Sequence, residues 1–213
     1  MPRAFFESNH HIASVDFFFD SREVVKRLRL SPGQYLIVPS TGPETDSYYD
    51  TLQPRLRRLF YEASGEAMAV DAFQLEAIVN CLLRDDHRAP YQMISTDGCR
   101  ALVALLDRDG TGRLSEPDFK RVWEIVRCWS RLFASFDPQR SGYVTSLDFR
   151  IILEQAGYTI PHSILSRLVH RFVEADWRLE YTKFIVAMSL VTKTIALFKN
   201  YDHGSRAVLS LEQ

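Results

Sequence analysis

The twelve residues from Asp107 to Asp118, DRDGTGRLSEPD, constrain this chain more than any other stretch. Counted from Asp107, side-chain oxygens fall at positions 1, 3, 5, 9 and 12, on Asp107, Asp109, Thr111, Ser115 and Asp118. Gly112 stands at position 6, where a loop closing on itself turns sharply, and Leu114 stands at position 8. A hard cation such as Ca²⁺ takes six to eight oxygens, and a loop wrapped around one ion delivers them from alternate positions, with a backbone carbonyl at position 7. The expected ligands are therefore Asp107, Asp109, Thr111, the carbonyl of Arg113, and Asp118. An Asp- and Gly-rich turn between two helices would explain the composition, but not a glycine at 6 with an aliphatic at 8. Leu114 is expected to pair with a neighbouring loop in a short two-stranded bridge. Position 12 is normally a Glu supplying two oxygens. Asp118 is one methylene shorter, which weakens the Ca²⁺ site and tilts it toward the smaller, octahedral Mg²⁺.

The same template recurs along the chain, and an internal repeat decides architecture. Asp137 opens DPQRSGYVTSLD, thirty residues after Asp107, with Gly142 at position 6 and Val144 at 8. Phe119 and Phe149 each stand at position 13, and Val103 and Phe133 each lie four residues before a loop. Three weaker copies begin at Ser64 (an eleven-residue variant with Val70 and Leu75 in the structural slots), at Phe172 (Leu179 and Phe184) and at Asp202 (Leu209). The Asp137 loop offers Asp137, Gln139, Ser141, the Tyr143 carbonyl and Asp148, and is expected to bind more weakly than the Asp107 loop. The other three have Ala67, Ala69, Gln74, Phe172, Lys183, Gly204, Arg206 or Gln213 in ligand slots and read as metal-free packing units.

Between the loops the pattern is helical. Leu52, Leu56, Leu59, Phe60 and Ala63 recur at helical spacing, and Asp71 opens a helix with Phe73, Leu75, Ile78, Val79, Leu82 and Leu83 as its apolar members. A third helix is expected from Thr96 to Leu106. Phe119, Val122, Val126, Trp129, Phe133 and Phe136 mark one long helix shared by two loops. Shorter helices are expected over 146–156 and 160–172. Phe184, Met188, Val191, Ile195 and Phe198 repeat the long stripe near the end. Residues 1–41 differ: aromatic runs such as Val15–Phe19 and Gln34–Val38 have strand character but are too few to close a sandwich. A polar Pro/Gly segment, 42–50, reads as a linker.

The totals exclude several classes. A net charge of −1 gives no electrostatic case for nucleic acid or an anionic membrane. Three irregularly spaced Cys make no disulfide framework, no secretory leader pattern opens the chain, and no apolar run is expected to reach span length, so the expected location is cytoplasmic. Cys81 and Cys128 fall in apolar helical patterns as core thiols, whereas Cys99, near a helix start, could have a lowered pKa. Arg55, Arg57 and Arg58 alternate with Leu56 and Leu59 on an amphipathic helix, so nucleic-acid binding through them is a distant reading.

Five such hands with shared long helices resemble the penta-EF-hand family, and within it the calpains, calcium-regulated cysteine proteases. SREVVKRLRLSPGQYLIVPST (Ser21–Thr41) resembles the end of the β-sandwich domain that precedes the hands in calpain large subunits, while RRLFYEASGE, LLDRDGTGRL, FDPQRSGYV and LEQAGYTIP resemble successive calpain hands. The resemblance covers essentially the whole chain and implies a mostly α fold: a β-sandwich remnant over 1–41, a linker over 42–50, and a penta-EF-hand domain over 51–213 with its fifth hand truncated. It implies Ca²⁺ as ligand, a calpain-type small subunit or a second copy as partner through the fifth hand, and an amphipathic helix of an inhibitor or substrate in a groove. No papain-like Cys/His/Asn region is recognisable, so the chain is not expected to cleave peptides itself. Three readings follow: a calcium-binding regulatory and dimerisation module, a calcium-insensitive interaction scaffold, or a fragment or variant product of an intact calcium-dependent endopeptidase.

Overall fold

A computed structural model describes residues 44–85, 89–91 and 93–201. The strand-like runs of 1–41 and the fifth loop from Asp202 onward lie outside the described residues. Among the described residues there are seven α-helices: α1 (Glu44–Ser64), α2 (Ala72–Asp85), α3 (Thr96–Leu106), α4 (Glu116–Phe136), α5 (Ser146–Gln155), α6 (His162–Phe172) and α7 (Tyr181–Tyr201). A 3-10 turn, Gly65–Ala67, follows α1, and two short strands, β1 (Tyr143–Thr145) and β2 (Arg178–Glu180), lie in the third and fourth loops. Helix α1 runs back through Glu44–Asp50, so most of the segment expected as a linker is helical.

The helices start where local chemistry places them. Asp71 Oδ1 accepts from the amides of Phe73 and Gln74 and opens α2. Ser95 caps α3 through the Gly98 amide. Thr145 and Asp148 form a reciprocal capping box at the start of α5. Pro161 confines α6 to a start at His162, two residues later than its apolar pattern suggests.

In the four described loops, the residue in the slot of Leu114 joins the hands in pairs. Val70 and Leu114 exchange both backbone hydrogen bonds at 2.9 Å, the bridge expected of Leu114. In the second pair β1 and β2 run antiparallel with Val144 opposite Leu179. All four side chains are buried, so each pairing is also a core contact.

Helix α4 lies between the pairs and is buried on more than one stripe. Trp123, Ile125 and Leu132 join Phe119, Val122, Val126, Trp129 and Phe133 in the core, while Phe136 is half-buried. Phe133 meets Phe184 of α7 at 4.9 Å between centroids, and Phe60 of α1 meets Phe119 at 5.5 Å. The stretch Tyr181–Phe198 of α7 is long and apolar enough to cross a membrane, contrary to the expectation that no run reaches that length. Its Phe184, Ile185, Ala187, Met188 and Val191 are buried against the other helices, which accounts for the first half of the run as core, whereas Leu190 and Leu197 are exposed.

One expected core residue is outside. Phe73 is 63% exposed, because it lies on the far face of α2 from Leu75, Ile78, Val79, Leu82 and Leu83, beneath the guanidinium of Arg100. In urea denaturation, Phe133→Ala is expected to lower the unfolding free energy by about 3–5 kcal/mol. Phe73→Ala is expected to change it by no more than about 0.5 kcal/mol.

Candidate functional site

The Asp107 loop is already closed by its own hydrogen bonds. Asp107 Oδ1 accepts from the Gly110 and Thr111 amides at 2.8 and 3.2 Å, and Oδ2 from the Gly112 amide at 2.9 Å. Gly112 has φ +71°, the left-handed conformation its position requires. Asp109 Oδ1 accepts from the Thr111 hydroxyl at 2.8 Å; this bond first, and the neighbouring Asp107 carboxyl second, hold Asp109 below its ordinary pKa. Asp118, at the start of α4, accepts from Ser115 Oγ at 2.5 Å. Two carboxylates, a hydroxyl and the carbonyl of Arg113, itself an exposed residue, are thus assembled in one loop, a donor set that fits a hard divalent cation. Asp118 is held on Ser115, and among the described residues no three His, Cys, Asp or Glu side chains are gathered tightly enough to hold an ion.

The Asp137 loop is built the same way. Asp137 Oδ1 accepts from the Ser141 amide and hydroxyl, both at 2.9 Å, and Oδ2 from the Gly142 amide at 2.7 Å. Gly142 has φ +82°. Ser141 Oγ also lies 3.3 Å from the Tyr143 carbonyl. Burial pushes the Asp137 carboxyl up, but the Ser141 and Gly142 amides and the Tyr91 hydroxyl together hold it below its ordinary value. Gln139 is exposed, and Asp148 is engaged with Thr145, its Oδ2 taking the amide at 3.0 Å and the hydroxyl at 2.6 Å.

In the first and fourth hands, side chains in ligand slots bond to neighbouring protein groups. Gln74, in a ligand slot of the first loop, donates to the Ala63 carbonyl at 2.7 Å and accepts from the Asp71 amide. In the fourth loop Lys183, at position 12, reaches Glu174 at position 3 with an Nζ–Oε1 distance of 2.8 Å. An ammonium therefore spans the slots a metal would bridge. Trp177 occupies position 6 of this loop with φ +64°, taking the conformation that Gly112 and Gly142 take in theirs.

The remaining candidates resolve into structure. Arg55, Arg57 and Arg58 pair with Asp85, Glu116 and Glu62, so these guanidinium groups face protein carboxylates. Cys99 is fully buried, and burial, with Glu76 nearby, pushes its thiol up to about 12, the reverse of the lowered pKa expected at a helix start. Burial likewise raises Cys128 to about 11. Neither is poised as a nucleophile.

Comparisons with known proteins match this architecture. Residues 1–49 match the family model described as calpain large subunit, domain III. The whole chain aligns, at 25% identity over 247 residues, with the calpain-1 catalytic subunit of Gallus gallus, of which it spans 35%. At 28% identity over 233 residues, 92% of it aligns with 54% of the calpain-2 catalytic subunit of Oryctolagus cuniculus. It is a relative of the calpain large subunits. The match is to domain III and the C-terminal part of those proteins and not to their protease core. The chain spans about a third of the length of the first relatives. A solved homolog of programmed cell death 6 protein from Leishmania major superposes with a TM-score of 0.51 at 16% identity, over 74% of this chain and 83% of that one. The calpain-related chain thus has the penta-EF-hand fold.

Glu116, the first residue of α4, ties the outgoing helix of the Asp107 loop to α1. Its Oε1 meets Lys120 Nζ and Arg57 Nε at 2.9 Å each, and its Oε2 accepts from Tyr61 at 2.6 Å. Lys120 first, then Tyr61 and Arg57, outweigh burial and bring its pKa from 4.5 down to about 2. A carboxyl depressed on folding contributes stability above its unfolded pKa and loses it as pH falls toward its folded one. Glu116→Gln is therefore expected to cost about 1 kcal/mol at pH 7, discounted for the exposure of Arg57. Urea midpoints of the variant should converge on wild type between pH 4.5 and about 2.

Proposed function

We propose that this chain is a calcium-binding regulatory and interaction module of the calpain type, carrying no proteolytic activity of its own, and acting in the cytoplasm. The observation that carries the reading is the Asp107 loop. There two carboxylates and a hydroxyl share one turn, with Gly112 in its left-handed slot and Leu114 bridged to the first hand. Asp107, Asp109, Thr111, the Arg113 carbonyl and Asp118 would hold the ion; Asp137, Gln139, Ser141, the Tyr143 carbonyl and Asp148 would hold a second, more weakly. When bound, the cation supplies charge that draws these oxygens together, and α4, which leaves the loop at Asp118, is the element that responds. With Asp at both position 12 slots the affinity is on the order of 10⁻⁴ M, and Mg²⁺ competes. Partners consistent with the calpain relationship are a small subunit or second copy through the fifth hand, and an amphipathic helix read through spaced apolar anchors.

The scaffold reading is favoured by a different observation. The Lys183–Glu174 pair and the Gln74–Ala63 bond let two hands keep their shape without a cation. Calcium decides between the two readings. At 1 mM Ca²⁺ a site of this strength stabilises the chain by about 1.4 kcal/mol. That raises the melting temperature by roughly 3–6 °C. Asp107→Ala should abolish most of the shift. A chain that melts identically in chelator and in millimolar Ca²⁺ would leave the scaffold reading standing and sink the sensor.

A further inference from the structure

Tyr91 lies in the connector between α2 and α3, within the first pair of hands, yet its hydroxyl donates to Asp137 Oδ2 at 2.8 Å. Asp137 is position 1 of a loop in the second pair, forty-six residues away. The tyrosine ring is held where it is. It stacks on Tyr181 of α7 at 4.3 Å and 24°, meets Phe133 of α4 edge-on at 5.3 Å, and has the Arg140 guanidinium 6.0 Å from its centroid. Tyr181 is fixed in turn by a hydroxyl–hydroxyl hydrogen bond to Ser130 of α4 at 2.5 Å.

This arrangement divides the two oxygens of Asp137. Oδ2 takes the Tyr91 hydroxyl and the Gly142 amide, both as fixed donors. Oδ1 takes only donors from Ser141, one of which is a hydroxyl that can rotate and offer a lone pair instead. A carboxylate gripped on one oxygen from outside presents the other at a fixed angle, and losing such a grip weakens metal binding by roughly 10–100-fold.

We propose that Tyr91 is an outer-shell positioning residue of a cation site in the Asp137 loop, which makes occupancy of the third hand thermodynamically linked to the connector of the first pair. The inference rests on the reading that this loop takes a divalent cation. Linkage is reciprocal, so whatever orders the connector also strengthens the site.

The test is calorimetric titration of Ca²⁺ into the full chain in two backgrounds. Asp107→Ala isolates the Asp137 loop and Asp137→Ala isolates the Asp107 loop. Adding Tyr91→Phe, which keeps the ring stack, is expected to weaken binding about tenfold in the first background. In the second it should change affinity by less than about twofold, whereas a merely loosened fold would weaken both. Equal loss in both backgrounds, no loss in the first, or no heat from the Asp107→Ala chain each overturns the proposal. Heat from the Asp137→Ala chain alone still leaves the sensor reading intact. Independently of that variant, Ca²⁺ is expected to slow amide exchange at Tyr91 and Ile94 in the Asp107→Ala chain; unchanged exchange there also overturns the proposal.

Discussion

The structure depends on a small piece of backbone chemistry at the middle of each loop. A loop carries amides and carbonyls that have no partner within its own helices, and burying them unpaired is costly. Two loops side by side solve this for each other: Val70 with Leu114, and Val144 with Leu179. Because the four side chains are also buried, the hydrogen bonds and the apolar contacts select the same register. The second pair is tightened further at its edges, where Ser146 donates to the Trp177 carbonyl and Tyr181 to that of Gly142. The directions of the outgoing helices follow, and so does the packing of α4 against α7. That is why the position 8 residues persist in loops whose metal ligands are gone: they serve the pairing, not the ion.

The repeat was legible because each slot carries a local chemical demand. Gly112 and Gly142 answer a left-handed turn, Asp71 and Thr145 answer free amides at helix starts, and the stripe from Phe119 to Phe133 answers a buried face. What escaped has no such local mark. Phe73 falls about 200° around the helix from Leu75, but a phenylalanine in an apolar run does not announce which side it takes. Glu44–Asp50 has turn-like composition and is helical all the same. Trp177 fills a slot that glycine fills elsewhere, so a search for glycine passes over it. Tyr91 touches Asp137 only through the folded arrangement of both pairs, a contact that no spacing rule encodes.

The hands also differ in how each replaces, or keeps room for, a cation. The first uses an amide side chain, Gln74, and the fourth uses an ammonium, Lys183. In the second and third, the position 1 aspartates instead accept hydrogen bonds from loop amides. Among the described hands, two thus place a side-chain donor in a ligand slot and two gather loop amides on a carboxylate. The Asp107 and Asp137 loops lie at the two ends of α4, which joins them directly.

That placement gives α4 a mechanical meaning. Its twenty-one residues form a rod with the Asp107 loop at one end and the Asp137 loop at the other. At 1.5 Å per residue the rod is about 31 Å long. Pivoting it by about 5° at one end sweeps the far end through nearly 3 Å, slightly more than a calcium–oxygen distance. A rod of that length turns a small change of angle at one loop into a shift of ångström size at the other.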